Sequence, residues 1–157
     1  MPKLRVLLIM GSGGHTAQML RLEKLLGDRY DYEYLANAND EVTPKKVKGR
    51  LHLLDNPRMY RAPWLSIVQK TIGAFTRSIA LLRRFDVVIS AGPGLTIPVF
   101  YAAKLMGRKT IFLESWCRAH SMSVSGKACY PIADLFFVQW PEMTKHYPRA
   151  IYVGRLG

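Results

Sequence analysis

A chain of 157 residues with 49% apolar side chains is long enough for one domain with a buried core and too apolar to be disordered. Its 23 Lys and Arg against 11 Asp and Glu give a formal charge of +12, which points to anionic partners: nucleic acid, an acidic membrane surface or phosphorylated ligands. Cys117 and Cys129 have neither metal-ligand nor disulfide-framework spacing and fit a reducing compartment, and no apolar run reaches the roughly eighteen residues of a membrane span.

Val6 to Met10 is a continuous apolar run, the pattern of a parallel strand covered on both faces. Gly11, Ser12, Gly13 and Gly14 then make a glycine-rich turn with His15 in its mouth. From Thr16 to Leu26 the apolar residues Met19, Leu20, Leu22, Leu25 and Leu26 recur at helical spacing. The free N–H groups at such a helix start suit an anionic group such as a diphosphate. The turn departs from the dinucleotide fingerprint, with Thr16 in place of the third glycine. The second strand ends in Asn37 rather than an acid, and Asp40 lies slightly too far along. No Gly-Lys-Ser/Thr follows, which excludes a P-loop. Taken alone, the glycines serve either a ligand or chain geometry, and His15 is either an acid–base group or an ordinary half-exposed residue.

A second strand is predicted at about 30–36, followed by a basic, irregular stretch from Asn37 to Arg61 that contains a short strand at Leu51–Leu54. A long helix is predicted from Pro63 to about Arg84. Within it Trp64, Val68, Ile72, Phe75, Ile79 and Leu82 form one apolar stripe, and Lys70, Arg77 and Arg84 line up on another face. With Lys45, Lys46, Lys48, Arg50, Arg58 and Arg61 upstream, this helix either faces the core with a solvated basic side or offers Trp64 and its neighbours to an anionic bilayer. Asp86–Ser90 is a buried strand, followed by Ala-Gly-Pro-Gly-Leu-Thr, which places Gly92 and Gly94 at the start of a helix to about Met106. Strands at Thr110–Leu113, Leu135–Val138 and Ile151–Val153 complete the set. The alternation predicts a single α/β domain over 1–157, Rossmann-like, with a mostly parallel, doubly wound sheet. In such sheets ligands bind beyond the carboxyl ends of the strands, where Gly11–His15, Gly92–Thr96 and Glu114–Arg118 all fall.

Six motifs occur in order along almost the whole chain: Gly-Ser-Gly-Gly-His-Thr at 11–16, Glu-Ser-Trp-Cys-Arg at 114–118, Ser-Gly-Lys at 125–127, Tyr-Pro-Ile-Ala-Asp at 130–134, Val-Gln-Trp-Pro-Glu at 138–142 and Tyr-Pro-Arg-Ala at 147–150. As a set they resemble the Alg14-like family of oligosaccharide-biosynthesis proteins, which includes bacterial exopolysaccharide proteins of the PssD type. The resemblance implies the acceptor-side half of a split glycosyltransferase of the GT-B type. A separately encoded donor-binding catalytic subunit is then the partner. The pair would carry a sugar from a UDP-sugar, N-acetylglucosamine in the eukaryotic case, to a sugar on a polyprenyl diphosphate, at the cytosolic face of a membrane. The chain begins close to its first strand, without the membrane helix of eukaryotic members, so peripheral attachment to an anionic membrane surface is expected through Trp64, Lys70, Arg77 and Arg84 and through the partner.

By the same resemblance the transfer is inverting, and it requires a base near the acceptor hydroxyl and dipoles near the diphosphates. His15 and Glu114 are the catalytic candidates; the competing role for Glu114 is an ion pair with Arg118. Gly11, Ser12, Gly13, Gly14, Thr16, Gly92, Gly94 and Arg118 are the candidates for holding the acceptor diphosphate. No cofactor and no metal is expected, and no Asp-x-Asp motif is present. Two other readings stand beside this one: a basic nucleic-acid-binding module, which lacks any recognised binding signature here, and a self-contained nucleotide-binding enzyme.

Overall fold

The computed structural model describes residues 2–55 and 63–156; Arg58 and Arg61 lie outside the described residues. Seven strands form one sheet: β1 (Arg5–Ile9), β2 (Asp31–Asn37), β3 (Leu51–Leu54), β4 (Val87–Ser90), β5 (Lys109–Leu113), β6 (Leu135–Val138) and β7 (Ala150–Tyr152). Their order across the sheet is β3-β2-β1-β4-β5-β6-β7, and all six pairings are parallel. Parallel neighbours need crossover connections, which the helices supply: α1 (Gly14–Leu26), α2 (Trp64–Leu82), α3 (Thr96–Leu105), α4 (Val124–Cys129) and α5 (Glu142–His146). The crossover through α1 carries the chain from β1 to β2 on one side, and after β3 the crossover through α2 returns it to β4 on the other. β1 is therefore the switch point of a doubly wound sheet.

Alternation along β1 divides the core in two. Val6, Leu8 and Met10 pack with Met19 of α1, whereas Leu7 and Ile9 pack with Ala74 and Leu82 of α2 and with α3. The second layer is the larger and holds a stacked Phe112–Phe136 pair whose ring centroids lie 4.8 Å apart. The α1 side is incompletely covered. Ile89, Ile111 and Leu135 stand in register across β4, β5 and β6. Together with Leu113, Phe137, Val153 and the α1 leucines Leu22, Leu25 and Leu26 they line an apolar groove of about 440 Å³. No described helix lies over it. The chain after β7 borders this groove, where the Leu156 N–H donates to Gln139 Oε1 and Arg21 donates to the Leu156 carbonyl.

Sequence and structure differ most at α2. The expected continuous apolar stripe is divided: Ala74, Ser78 and Leu82 are buried and Phe75 and Ile79 pack beside them, but Trp64 (75% exposed), Leu65, Val68 and Ile72 (58%) face solvent. Only the C-terminal half of the helix meets the sheet and α3. Ser78 is accommodated in the buried line because its hydroxyl donates to the Ala74 carbonyl at 2.6 Å. Arg77 is paired with Asp55 at 3.1 Å, and Arg84 lies beyond the helix end. The short α4 and α5 escape periodicity analysis because six and five residues carry too little pattern.

This division of α2 has a measurable consequence. Leu82→Ala, at a fully buried site, is expected to cost about 2–5 kcal/mol of unfolding free energy in urea titrations. Ile72→Ala is expected to cost under about 0.5 kcal/mol. Equal losses would mean that the N-terminal half of α2 packs on the domain after all.

Candidate functional site

Loops at the carboxyl ends of β1, β4 and β5 enclose a cleft of about 710 Å³. Gly11, Ser12, Gly14 and His15 come from the first loop, Gly92, Pro93 and Gly94 from the second, and Ser115, Trp116, Cys117 and Arg118 from the third. All three loops singled out in the sequence therefore meet. The N-termini of α1 and α3 open onto the cleft without a side-chain cap; the Gly14 and His15 N–H groups of α1 are available to an anion, whereas those of Thr16, Ala17 and Thr96 donate to the Gly11, Gly13 and Pro93 carbonyls and Pro98 has none. Gly11 is required by close packing: a β-carbon there would stand 2.8 Å from Pro93 Cβ and 3.1 Å from His15 Cβ.

Two of the expected ligand residues do not line the cleft. Gly13 heads α1 without lining the cleft, and Thr16 is fully buried. The Thr16 hydroxyl donates to the Gly11 carbonyl and lies 3.1 Å from Thr43 Oγ, so it fastens the turn from behind. The fastening continues to Asp40, which accepts from Thr43 Oγ at 2.6 Å, Thr43 N–H at 3.1 Å and Val42 N–H at 2.9 Å. Burial pushes the Asp40 carboxyl up, but these hydrogen bonds outweigh it and hold the group below the usual carboxylate range. Asp40 also lines the cleft with Asn37 and Asn39, a wall that the sequence reading missed. The clue was present in Asn-Ala-Asn-Asp at the end of a strand next to the switch point. Ser123, Val124 and Ser125 were missed because α4 was not foreseen.

The two catalytic candidates occupy different places. His15 lines the cleft, and burial lowers its pKa from the ordinary 6.5, with the Ala91 carbonyl opposing the shift. The ring is neutral at pH 7 and able to accept a proton. Glu114 is 1% exposed and does not line the cleft. Its Oε1 accepts the Ser115 N–H at 2.9 Å, and its Oε2 accepts the Ser123 N–H at 3.0 Å and hydroxyl at 3.2 Å. A β-carbon on Gly126 would collide with that carboxylate, which gives the Ser-Gly-Lys motif a structural reason. Glu114 thus ties the two loops of this wall together. Burial raises its pKa against these hydrogen bonds and the charge of Arg118. The ion pair with Arg118 is not formed; Arg118 is exposed on the cleft wall. Trp140 Nε1 donates to the Trp116 carbonyl at 2.6 Å and braces the same wall, while Lys127 lies outside it. Trp64, Lys70, Arg77 and Arg84 lie away from the cleft. Among the described residues no three His, Cys, Asp or Glu side chains cluster as a metal site.

Glu114→Gln offers one acceptor oxygen where three donors converge, so at pH 5 it is expected to cost about 1–3 kcal/mol. A carboxyl whose folded pKa is raised gives stability that is fully present below its unfolded value of 4.5 and lost as pH rises through the folded value. The gap between wild type and variant in urea denaturation should therefore narrow from pH 4.5 upward. A gap that widens would show that Glu114 is stabilised as an anion.

Residues 6–156 match the family described as "Oligosaccharide biosynthesis protein Alg14 like". The chain is 34% identical to the mouse UDP-N-acetylglucosamine transferase subunit ALG14 over 98% of its own length and 83% of the relative's. The human protein of that name is 32% identical with the same coverage, and the Schizosaccharomyces pombe protein is 32% identical over 95% of this chain and 81% of its own. Among solved structures, Acinetobacter baumannii MurG superposes with a TM-score of 0.72 at 18% identity, covering 89% of this chain and 42% of MurG. A UDP-N-acetylglucosamine 2-epimerase superposes with a TM-score of 0.74 at 17% identity, covering 98% of this chain and 48% of that one. The chain spans under half the length of these structures, and the likeness to them is one of fold. With the sequence matched from the first strand to the last, the chain belongs to the Alg14-like family of oligosaccharide-biosynthesis proteins.

Proposed function

We propose that this chain is the acceptor-binding subunit of a two-subunit glycosyltransferase that adds a sugar, N-acetylglucosamine on the analogy of its named relatives, from a UDP-sugar to a sugar carried on a polyprenyl diphosphate. One observation carries the reading: a cleft at the switch point, with two uncapped helix N-termini and one neutral histidine, on a domain under half the length of the structures that share its fold. The Gly14 and His15 N–H groups at the head of α1 and the Arg118 side chain suit the diphosphate of the acceptor. His15 is the base for the acceptor hydroxyl. Glu114 holds the Ser115 and Ser123 loops in place and moves no proton.

A reaction with two large substrates needs a second wall, and the apolar groove on the α1 side fits a separately encoded donor-binding subunit. No described helix is long and apolar enough to cross a membrane. Exposed Trp64, Leu65, Val68 and Ile72, with Lys70 and Arg84 on the same element or just beyond it, suit peripheral attachment to an anionic bilayer on its cytosolic side.

Transfer of labelled N-acetylglucosamine from its UDP ester into extractable lipid tests the reading. The chain purified alone is expected to give none, and the chain recovered with its native membrane partner to give label. Label from the isolated chain would overturn the two-subunit proposal, and none from either would overturn the reaction. In the active complex His15→Ala should lower transfer by about a hundredfold or more. Because the His15 pKa is lowered, the acid limb of kcat/KM should fall below pH 6.5. Replacing Trp64 and Ile72 with Ser should reduce sedimentation of the chain with vesicles of anionic phospholipid, and unchanged sedimentation would remove α2 from the membrane contact.

A further inference from the structure

Trp116 is the one large aromatic side chain among the described residues that line the cleft. It is half-buried and packs into neither core layer, unlike Trp140, which rests on the larger one. The core therefore gains nothing from an indole at this place, yet the chain holds it firmly. Ser115 to Arg118 form a turn closed by the Arg118 N–H, which donates to the Ser115 carbonyl at 2.9 Å. Trp116 takes the second position of that turn, and its carbonyl accepts from Trp140 Nε1 at 2.6 Å. The residue before the turn is fastened as well, because Gln139 Nε2 donates to the Glu114 carbonyl at 2.9 Å.

The ring has its own brace. The Arg21 guanidinium of α1 stands 5.4 Å from the centre of the indole, within cation–π range, and donates to the Leu156 carbonyl at 2.7 Å. Arg21 does not line the cleft, so it leaves the surface that Trp116 offers there uncovered. An aromatic group fixed in this way has little freedom left to lose when a ligand packs on it.

Indole is apolar with an electron-rich face. A pyranose with equatorial hydroxyls turns C–H bonds to its two faces and its hydroxyls to its edge, so one face packs on indole while the edge stays free to react. The place along the chain fits a sugar beside a phosphate. Arg118 is two residues on, and Cα atoms at that spacing stand at most about 7 Å apart. A sugar esterified to a phosphate at Arg118 lies next to Trp116, and His15 lines the same cleft.

We propose that the Trp116 indole is the platform against which the acceptor sugar packs through a C–H face, with the hydroxyl edge left for His15. The inference rests on the reading of the cleft given above and adds a source of discrimination. Diphosphate contacts alone would take a sugar-bearing prenyl diphosphate and a bare one alike; the platform favours the first.

Two soluble probes test this on the full chain: N-acetylglucosaminyl diphosphate esterified to a short prenyl alcohol, and the same prenyl diphosphate without the sugar. Wild type is expected to bind the first at least about tenfold more tightly, the scale of one ring packed on an aromatic face. Trp116→Leu keeps apolar bulk without a π-face. It should lose that preference while binding the bare diphosphate within about twofold of wild type, and Trp116→Phe should keep most of it. In proton NMR the ring C–H resonances of the bound sugar should move upfield with wild type and Trp116→Phe and stay unmoved with Trp116→Leu. Both variants are expected to melt close to wild type, since Trp116 lies outside both cores. A Trp116→Leu chain that keeps the preference would overturn the assignment. One that binds both probes equally weakly, or no longer folds, would overturn it by making the indole a structural part of the wall. Wild-type binding of the two probes with equal affinity would overturn the platform and leave the diphosphate site standing, whereas binding of neither would sink the reading of the cleft itself.

Discussion

The contact between the turns after β1 and β4 sets the geometry of everything around it. Gly11 and Pro93 approach so closely that no β-carbon fits between them, and the same absent β-carbon leaves room for His15. Because β1 and β4 are hydrogen-bonded neighbours at the switch point, this approach is imposed by the sheet, not by either loop. The starts of α1 and α3 then open onto one volume, and the Asp40–Thr43–Thr16 chain holds the first turn from behind. Backbone dipoles and a histidine are thus fixed before any ligand arrives, which is what stabilising a transferring anionic group requires.

The electrostatics of the cleft follow from the same packing. Burial moves His15 down and Glu114 up, so both shifts favour the neutral form. Asp40 stays charged, with its oxygens saturated by three hydrogen bonds. Arg118 and the Gly14 and His15 N–H groups remain as positive features of the cleft. Under the reading proposed above, the diphosphate of the acceptor would meet a site whose own negative charge is engaged elsewhere.

Much of this was legible from the chain alone, for physical reasons. Val6–Met10 reads as a buried parallel strand because both of its faces are covered, and each glycine turn reads as a strand-to-helix junction. The parallel sheet and the placing of three loops on one edge follow from that alternation. Side-chain orientation was less legible. Thr16 sits in a glycine motif but points inward, and Glu114 ends a central strand but turns behind the wall, because each finds a backbone partner where the following or preceding loop folds back, Gly11 for Thr16 and Ser123 for Glu114. The α2 stripe misled for a related reason: periodicity gives the apolar face but not how far along the helix the sheet extends.

The uncovered side of β4, β5 and β6 sets terms for how the protein exists in a cell. Its groove is apolar and bordered by the exposed residues Leu25 and Val153, so if it seats the proposed donor-binding subunit, a copy lacking that subunit would present adhesive sheet surface to other unpaired copies. Under the two-subunit reading, excess of this chain over its partner gives no additional catalysis and adds material prone to aggregate or to be degraded. The stoichiometry of synthesis then becomes part of the fold's stability, and a shortage of the other subunit would be felt first as loss of this one.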